Sequence, residues 1–300
     1  MNRMGIAPPG YRLPDLTRLG PVRLQVADAA RSEAFYTGVL GLVRHGKRSH
    51  ALALGAPGGK EPLIELVEHP GARPLTPRSR LGLYHFAVLL PDREALARFV
   101  LHAQSRSIRL GMGDHLVSEA LYLTDPDGLG IEVYADRPRE SWRSSGGQLT
   151  MTTDPLDVEN LVAAAGDTPF NGVPPDTVIG HVHLHVGDLA EAERFYHEAL
   201  GFDKMVWNYP GALFLAAGGY HHHLGTNTWA RGVPSPGPDE ARLLSWTIVV
   251  PEAGDREGLR GHLQGGDRGI DIRDADGGGF LVRDPWGATV EVRDASRLGR

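Results

Sequence analysis

Histidine is the most unusual component of this sequence and the residue type best suited to chemistry near neutral pH. The 300 residues include 14 histidines and no cysteine. Several histidines are clustered, with HVHLH at residues 181–185 and HHH at residues 221–223. Because thiolates are absent, a bound metal must be held by nitrogen and oxygen ligands, and a cysteine nucleophile is excluded. Imidazole also transfers protons near neutral pH, so the clusters are candidates for both tasks.

An internal duplication provides the framework that must position these side chains. ADAARSEAFYTGVLGL at residues 27–42 resembles GDLAEAERFYHEALGF at residues 187–202. DPDGLGIEV at residues 125–133 likewise resembles DPWGATVEV at residues 284–292. Both pairs are separated by nearly the same offset, which predicts that one half of the chain duplicates the other.

Each half contains a second, weaker repeat with the order strand, helix, strand, strand, strand. The strands that open the four units are predicted at VRLQVAD (22–28), YHFAVLLPD (84–92), HVHLHVGD (181–188) and LLSWTIVVPE (243–252). Alternating or continuously apolar segments predict strands, whereas apolar residues at helical spacing predict the helices between them. DPDG and DPWG are typical of turns before the last strand of a unit. The pattern predicts an α+β fold of four βαβββ units.

The limits of the repeat divide the chain into segments. Residues 18–136 are predicted to hold units one and two, and residues 178–295 units three and four. Residues 137–177, rich in Pro, Gly and Ser, are predicted to be a connector with one short helix. Residues 1–17 form an N-terminal extension and residues 296–300 a C-terminal tail.

Composition excludes several classes of protein. The net charge is −6, with 37 acidic against 31 basic residues, which is not the balance of a nucleic-acid binder. No segment approaches the roughly 18 continuous apolar residues of a membrane span. The first residues, MNRMGIAPPGYRLPDL, carry no apolar core of a signal peptide. We therefore expect a cytoplasmic protein that binds neither nucleic acid nor membranes. The sequence leaves open whether the protein forms a homo-oligomer.

These motifs together resemble the vicinal-oxygen-chelate superfamily, which includes glyoxalase I, the bleomycin-resistance proteins and the extradiol ring-cleaving dioxygenases. The resemblance rests on DAARSEAFY and DLAEAERFY before LGL and LGF, and on D-P-x-G before a strand with a glutamate. GLYHFAVLLPDR and GGYHHHLGTNTW are more specifically similar to four-unit bacterial catechol 2,3-dioxygenases. The resemblance implies that paired units form two pseudo-symmetric, partly open β-barrels with a metal inside.

The resemblance also implies which side chains bind that metal. In the superfamily a first-strand ligand lies seven positions before the aspartate that ends the strand, which selects His85 in unit two and His181 in unit three. A glutamate on a last strand completes the set, and in unit two this residue is Glu132. Two imidazoles and one carboxylate leave coordination positions open, an arrangement that suits non-haem Fe(II). Mn(II), Zn and Ni are the alternatives.

The other two units lack these ligands. The matching first-strand positions are Pro21 in unit one and Ser245 in unit four, which are unsuitable. Glu65 and Glu291 occupy the last-strand positions, and we expect them to be relics or structural carboxylates. Pairing of units in chain order would break both sites. A crossed pairing, two with three and one with four, gives one complete site, so the function favours it.

Resemblance to the extradiol dioxygenases implies a catechol-like aromatic diol and dioxygen as substrates. Such chemistry requires groups that accept and donate protons. His115 in GDHLVSEA, Tyr122, and the HHH segment are the candidates. HHH is predicted to lie on the last strand of unit three, so His221 and His223 share a face, which we predict to point into the cavity, whereas His222 points away.

Two other functions stay open. A glyoxalase-type metal-dependent isomerase or lyase usually has a fourth ligand, often glutamate, on the last strand of the partner unit. Unit three offers histidine or glycine in that region, which disfavours this alternative. A non-catalytic protein that binds a small molecule, as in drug resistance, would need no metal chemistry.

Overall fold

The computed structural model describes residues 4–48, 50–265 and 269–297. Strands are the most frequent regular elements in these ranges; they are short, and their order follows the predicted repeat. Their bounds are β1 Arg18–Val26, β2 Val43–Arg48, β3 Ala51–Gly55, β4 Pro62–Glu68, β5 Gly82–Leu90, β6 Gly111–Asp114, β7 Ser118–Thr124, β8 Gly130–Asp136, β9 Ser144–Ser145, β10 Gln148–Leu149, β11 Val178–His185, β12 Asp203–Val206, β13 Ala212–Ala216, β14 Leu224–Asn227, β15 Arg242–Val250, β16 Ile272–Asp274, β17 Phe280–Arg283 and β18 Thr289–Asp294.

One helix follows the first strand of each unit. The helices are α1 Ala29–Gly38, α2 Arg93–Ser105, α3 Val158–Val162 in the connector, α4 Leu189–Ala192, which continues as a π-helix over Glu193–Ala199, and α5 Ala253–Gln264. Asp28, Asp92 and Asp188, which end the first strands, are the N-caps of α1, α2 and α4, and each accepts a backbone N–H. No helix in the described ranges is long and apolar enough to cross a membrane.

All the strands given above except β9 and β10, which pair with each other, form two eight-stranded sheets, and these confirm the crossed pairing. Sheet I has the order β12-β13-β14-β11-β5-β8-β7-β6 and combines units three and two. Sheet II has the order β16-β17-β18-β15-β1-β4-β3-β2 and combines units four and one. Within each unit the first strand is parallel to the last, and the two first strands of a sheet meet antiparallel at its centre. The first strands thereby bring the candidate ligand positions of two units together.

The two landmarks that revealed the duplication contact each other in the folded chain. The Tyr36 hydroxyl donates to Asp125 Oδ2 at 3.0 Å, and the Tyr196 hydroxyl donates to Asp284 Oδ2 at 2.6 Å. Each tyrosine lies on the helix of one unit, and each aspartate lies in the D-P-x-G turn of the next. Since the two units of a half belong to different sheets, these buried bonds tie sheet I to sheet II.

Burial makes the ionisation of Asp125 and Asp284 costly. Burial raises the pKa of Asp125 from 3.8 to about 6, despite hydrogen bonds from Leu129 and Tyr36, and it raises the pKa of Asp284 likewise. A carboxyl whose folded-state pKa is raised contributes stability that is fully present below its unfolded pKa and is lost as pH rises through the folded value.

We therefore expect Asp125→Asn to gain stability relative to wild type as the pH rises. Asparagine keeps the oxygen that accepts the backbone N–H groups of Asp127 and Leu129, but it cannot ionise. The difference in free energy of unfolding, variant minus wild type, should increase by about 2 kcal/mol between about pH 4.5 and about pH 7.5. Urea titrations at both pH values measure it, and a pH-independent difference would contradict the assignment.

Candidate metal centre

Three neighbouring strands of sheet I carry the predicted ligands to one point. His85 lies on β5, Glu132 on β8 and His181 on β11, and Ala87 of β5 is paired with both Glu132 and His181. Nε2 of His85 lies 3.0 Å from Oε2 of Glu132, and Nε2 of His181 lies 3.2 Å from the same oxygen. The two Nε2 atoms are 3.3 Å apart. All three side chains are buried.

Burial and mutual contact keep two of these groups in their metal-binding forms. Burial lowers the pKa of His181 to about 4, more than the neighbouring Glu132 raises it. Burial by itself would raise the pKa of Glu132, but His181 and His85 outweigh it and hold that pKa well below its usual value. Near neutral pH the glutamate is therefore ionised and His181 is neutral, which are the states that bind metal without first releasing a proton.

The spacing of the three atoms fits a common cation. Ligands about 2.1 Å from a metal and at right angles to one another lie about 3.0 Å apart. The observed separations of 3.0, 3.2 and 3.3 Å are close to that value. Among the described residues this is the one group of three histidine or acidic side chains whose ligand atoms converge. The donor set and its spacing fit a divalent metal held on one face.

A fourth protein ligand is absent at the position where the repeat would place it. In unit two, Ala87 is paired with Glu132, and the equivalent pair in unit three is His183 with Gly225. A Cβ atom at Gly225 would lie 2.9 Å from Cγ of His183. The His183 ring is held there by the Asn227 side-chain amide, which lies 2.9 Å from its Nε2. The imidazole thus fills the space of a second glutamate, and this position adds no fourth ligand to the group.

An open cavity of about 410 Å³, the metal-side cavity, borders this centre. Its walls are mainly aromatic or apolar apart from Glu132 and the histidines. They are formed by Tyr84, His85, Gly111, Met112, His115, Tyr122, Glu132, Met151, Thr152, Thr153, His183, Tyr209, Phe214, His222 and Trp229. The cavity has the dimensions and chemistry of a site for a small aromatic molecule.

His115 and Tyr122 form a hydrogen-bonded pair in the wall of this cavity. His115 Nδ1 lies 2.6 Å from the Thr152 carbonyl oxygen, which only accepts, so Nδ1 carries a proton. In the neutral ring Nε2 then accepts from the Tyr122 hydroxyl, 2.6 Å away. Burial, with a smaller effect of Glu132, raises the pKa of Tyr122 well above its usual value, so the hydroxyl stays protonated. The structure brings both predicted residues to the cavity.

The connector has a larger part than the sequence indicates. Met151, Thr152 and Thr153, within the predicted connector, line the metal-side cavity. Asp154 forms an isolated antiparallel bridge with Asp114, which holds this segment against β6. Sequence reasoning missed these residues because the segment shows no hydrophobic period, and only its Pro, Gly and Ser content was informative.

The HHH segment differs from the prediction. Residues 221–223 precede β14, in the connection after β13, so strand alternation does not apply to them. His222 lines the cavity, and its ring centroid lies 4.1 Å from that of His181. Neither His221 nor His223 lines the metal-side cavity. The prediction that this odd-numbered pair faces the cavity is wrong.

The two misassigned histidines have partners elsewhere. His221 Nε2 lies 2.8 Å from the Asp136 carboxylate, and its Nδ1 lies 2.7 Å from Nδ1 of His222. His223 Nδ1 accepts the backbone N–H of Ala217 at 3.2 Å. Gly218 and Gly219, both with positive φ, form the turn after β13 and delay the start of β14 until Leu224. Paired glycines before a polar run were the available signal for this turn.

Other histidines divide between the barrel and the core. The sequence predicts that His183 and His185 line the barrel and that His197 lies at the surface. His183 and His185 are buried, and both contact Asn227. His197 is also buried, with Nδ1 2.6 Å from the Phe202 carbonyl oxygen, so the surface prediction is wrong. The His197 ring is buried at the end of the unit-three helix, although histidine is a polar residue.

The equivalent place in sheet II is occupied by ion pairs. Arg23 lies 3.6 Å from Glu65, and Arg293 lies 2.6 Å from Glu291. Each last-strand glutamate therefore has an arginine as its cationic partner, in agreement with a structural use of both carboxylates. Pro21 and Ser245 occupy the ligand positions, so neither first strand of this sheet offers an imidazole there.

Comparisons with known proteins agree with the fold and the repeat. The family model of the Glyoxalase/Bleomycin resistance protein/Dioxygenase superfamily matches residues 18–133 and 178–292. A catechol-2,3-dioxygenase of Bacillus subtilis (strain 168) is 46% identical over 277 residues, which cover 90% of this chain and 94% of that protein.

Solved structures support the same fold at low sequence identity. A crystal structure from Bacillus subtilis subsp. subtilis str. 168 matches with a TM-score of 0.63 and 14% identity, covering 95% of this chain and 86% of that one. Glyoxalase I from Zea mays matches with a TM-score of 0.55 and 18% identity, covering 94% and 93%. The family model covers both halves of the repeat, and a relative at 46% identity spans most of the chain. The chain therefore belongs to the Glyoxalase/Bleomycin resistance protein/Dioxygenase superfamily.

Proposed function

We propose that this protein is an extradiol-type dioxygenase that cleaves the ring of a catechol-like diol. The observation that carries the proposal is the three-ligand centre of His85, Glu132 and His181, open on one side to an aromatic cavity. The 46% identity to a catechol-2,3-dioxygenase supports the same reaction class. In that reaction the ring bond beside the diol carbons breaks and both oxygen atoms enter the product. No external reductant is therefore required.

His85, Glu132 and His181 would hold the metal, and Fe(II) is our choice for an open site of two imidazoles and one carboxylate. A bound Fe(II) would supply Lewis-acid and redox chemistry toward the diol and dioxygen. At the position that a fourth protein ligand would take, Gly225 provides no side chain and His183 is held by Asn227. This position therefore adds no protein ligand that would compete with a bidentate diol.

The cavity walls would bind and orient the aromatic ring. Tyr84, Phe214 and Trp229 offer apolar ring surfaces around the metal-side cavity. Apolar walls also exclude water, which strengthens the electrostatic interactions of the substrate's hydroxyl groups. Holding the diol in one orientation at the open face would supply much of the rate enhancement that is expected when reactants are brought together.

His115 and Tyr122 are our candidates for handling the substrate's protons. In the neutral His115 ring Nε2 carries no proton, so it can receive one through the Tyr122 hydroxyl, which lies on the cavity wall. Thr152 fixes the tautomer by accepting from Nδ1. His222 is a further candidate, since it lines the same cavity. We do not assign such a part to His221 or His223.

The glyoxalase-type alternative is less well supported. Isomerases of that type usually employ a glutamate where this chain has Gly225, and His183 fills the space beside it. The binding-protein alternative predicts a chain that holds small molecules without metal. Neither alternative predicts consumption of dioxygen, so a measurement of oxygen uptake separates the proposed reaction from both.

The test is oxygen uptake by protein loaded anaerobically with Fe(II). With catechol or methyl-substituted catechols we expect one dioxygen consumed per diol and a yellow ring-fission product. Parallel samples loaded with Mn(II), Zn(II) and Ni(II) determine the metal. If metal is bound stoichiometrically and no diol of the panel supports oxygen uptake, the proposal fails. Diol binding that is retained by metal-free protein and by His85→Ala would support the binding alternative.

Tyr122→Phe should slow turnover without loss of metal. The substitution removes the hydroxyl that donates to His115 Nε2 but keeps the ring in the cavity wall. We expect kcat to fall about 100-fold, in the range of a lost acid–base group, while metal content is unchanged. Steady-state kinetics and metal analysis measure both quantities. Tyr11→Phe is the control, because its hydroxyl donates to the Asp255 carbonyl oxygen and it does not line the metal-side cavity; equal losses in both variants would refute the assignment.

A further inference from the structure

A second cavity adjoins the metal-side cavity, and the two share Tyr84, His85 and Tyr122 as lining residues. It has a volume of about 430 Å³. We name it the arginine cavity, because Arg78, Arg80 and Arg109 line it together with apolar residues of the segment before β5. A ligand in this cavity would therefore lie beside one proposed metal ligand and one proposed proton-transfer residue.

The charge of the arginine cavity is not balanced by its own walls. No aspartate or glutamate is among its described lining residues. Arg80 is neutralised by a two-point ion pair, with Nε and Nη2 at 2.9 and 2.6 Å from the Glu240 carboxylate. Arg78 and Arg109 have no side-chain hydrogen bond or ion pair within the described ranges. Two guanidinium groups therefore line a cavity beside the metal centre without an acidic partner.

The backbone holds Arg78 in an uncommon conformation. Its φ is 57°, in the left-handed region that non-glycine residues seldom adopt. Such conformations persist where the surrounding structure requires them, and they concentrate at ligand-binding segments. The adjacent Arg80–Glu240 ion pair and the hydrogen bond from Leu81 N to the Pro234 carbonyl fix the segment that follows. Arg78 is thus presented from an anchored turn.

The negative net charge of the whole chain makes the excess of positive charge at the arginine cavity informative. The chain has a net charge of −6, which repels an anion at long range. Two uncompensated arginines at one cavity reverse that effect locally. Guanidinium groups bind carboxylates through paired N–H donors, with a geometry that neutral ring substituents cannot match.

We propose that the preferred substrate is a catechol that carries a carboxylate side group, which Arg78 and Arg109 bind in the arginine cavity. The inference rests on the proposed function and deepens it by assigning the substrate class. The diol faces the metal-side cavity, and the substituent extends past the shared Tyr84, His85 and Tyr122. Arg78 and Arg109 are specificity-determining residues in this assignment.

The kinetic test compares two substrates across matched variants. The Fe(II)-loaded wild type, Arg78→Gln, Arg109→Gln and the double variant are assayed with catechol and with 3,4-dihydroxyphenylacetate. We expect the ratio of kcat/KM, acid over catechol, to fall about threefold for each single variant and about tenfold for the double variant. Arg194→Gln is the control, because Arg194 is exposed and lines neither cavity; its ratio should equal that of wild type.

A binding measurement keeps this inference separate from the proposed reaction. Calorimetry without oxygen gives the Kd of 3,4-dihydroxyphenylacetate and of catechol for the same proteins. We expect the acid alone to weaken in the arginine variants and with added salt, since salt screens exposed charges. If acid and catechol weaken equally, or neither changes, the arginine assignment is wrong. If binding follows the expectation but no catechol supports oxygen uptake, the proposed function fails and the anion site stands.

Discussion

Replacing Glu132 by alanine is expected to remove the metal and, with it, turnover. The Glu132 carboxylate lies within 3.2 Å of both imidazole Nε2 atoms, and it is the charged member of the cluster. Loss of an outer partner of a metal ligand already costs about 10- to 100-fold in affinity, so loss of the ligand itself should cost more than about 100-fold. Metal content after dialysis and direct titration of the apo-protein measure the affinity, and oxygen uptake measures the activity.

The repeat supplies a matched control for this substitution. Glu291 occupies the equivalent place in unit four, where it is paired with Arg293 at 2.6 Å. Glu291→Ala should lower the free energy of unfolding without changing metal content or activity. A Glu132→Ala protein that is folded by circular dichroism and still binds metal with wild-type affinity would show that the centre lies elsewhere.

Gly130→Ala is expected to destabilise sheet I at the place where β5 carries His85. Gly130 opens β8, and a Cβ atom there would lie 1.9 Å from the Tyr84 carbonyl oxygen and 3.2 Å from Cβ of His85. Backbone atoms cannot yield as a flexible side chain does, so β5 and β8 must separate. We expect the free energy of unfolding to fall by about 3 kcal/mol, the upper end for overpacking, and metal affinity to fall with it.

Urea titration measures the stability of this variant, and metal titration measures the displacement of His85. The control is Gly261→Ala in α5, where a Cβ atom would meet nothing within 4 Å. Alanine is the better helix former, so this variant should be more stable than wild type by roughly 0.5–1 kcal/mol. Wild-type stability for Gly130→Ala would mean that the strands tolerate the side chain, contrary to the close approach described above.

Local patterns were sufficient to find the repeat, and the family resemblance then selected the three proposed ligands. The aspartates that follow the first strands are helix N-caps, and the seven-residue count implied by the resemblance leads back from them to His85 and His181. The D-P-x-G turn fixes where the last strand begins, and Glu132 follows from it. The Phe-Tyr and D-P-x-G landmarks recur together because Tyr36 binds Asp125 and Tyr196 binds Asp284. Periodicity, capping and turn chemistry are properties of neighbouring residues, and a sequence displays them directly.

Tertiary structure decided the features that depend on distant segments. No local pattern predicts that β5 pairs with β11. The backbone hydrogen bonds between any two strands are chemically alike, so side-chain packing decides which strands pair. In the sequence, only the distribution of candidate ligands among the four units favoured the crossed pairing. Which histidine of residues 221–223 faces the metal-side cavity depended on where β14 begins. The tautomer of His115 depended on Thr152, in a segment without hydrophobic period. The sequence determined which side chains are available for chemistry, and long-range packing determined which of them meet.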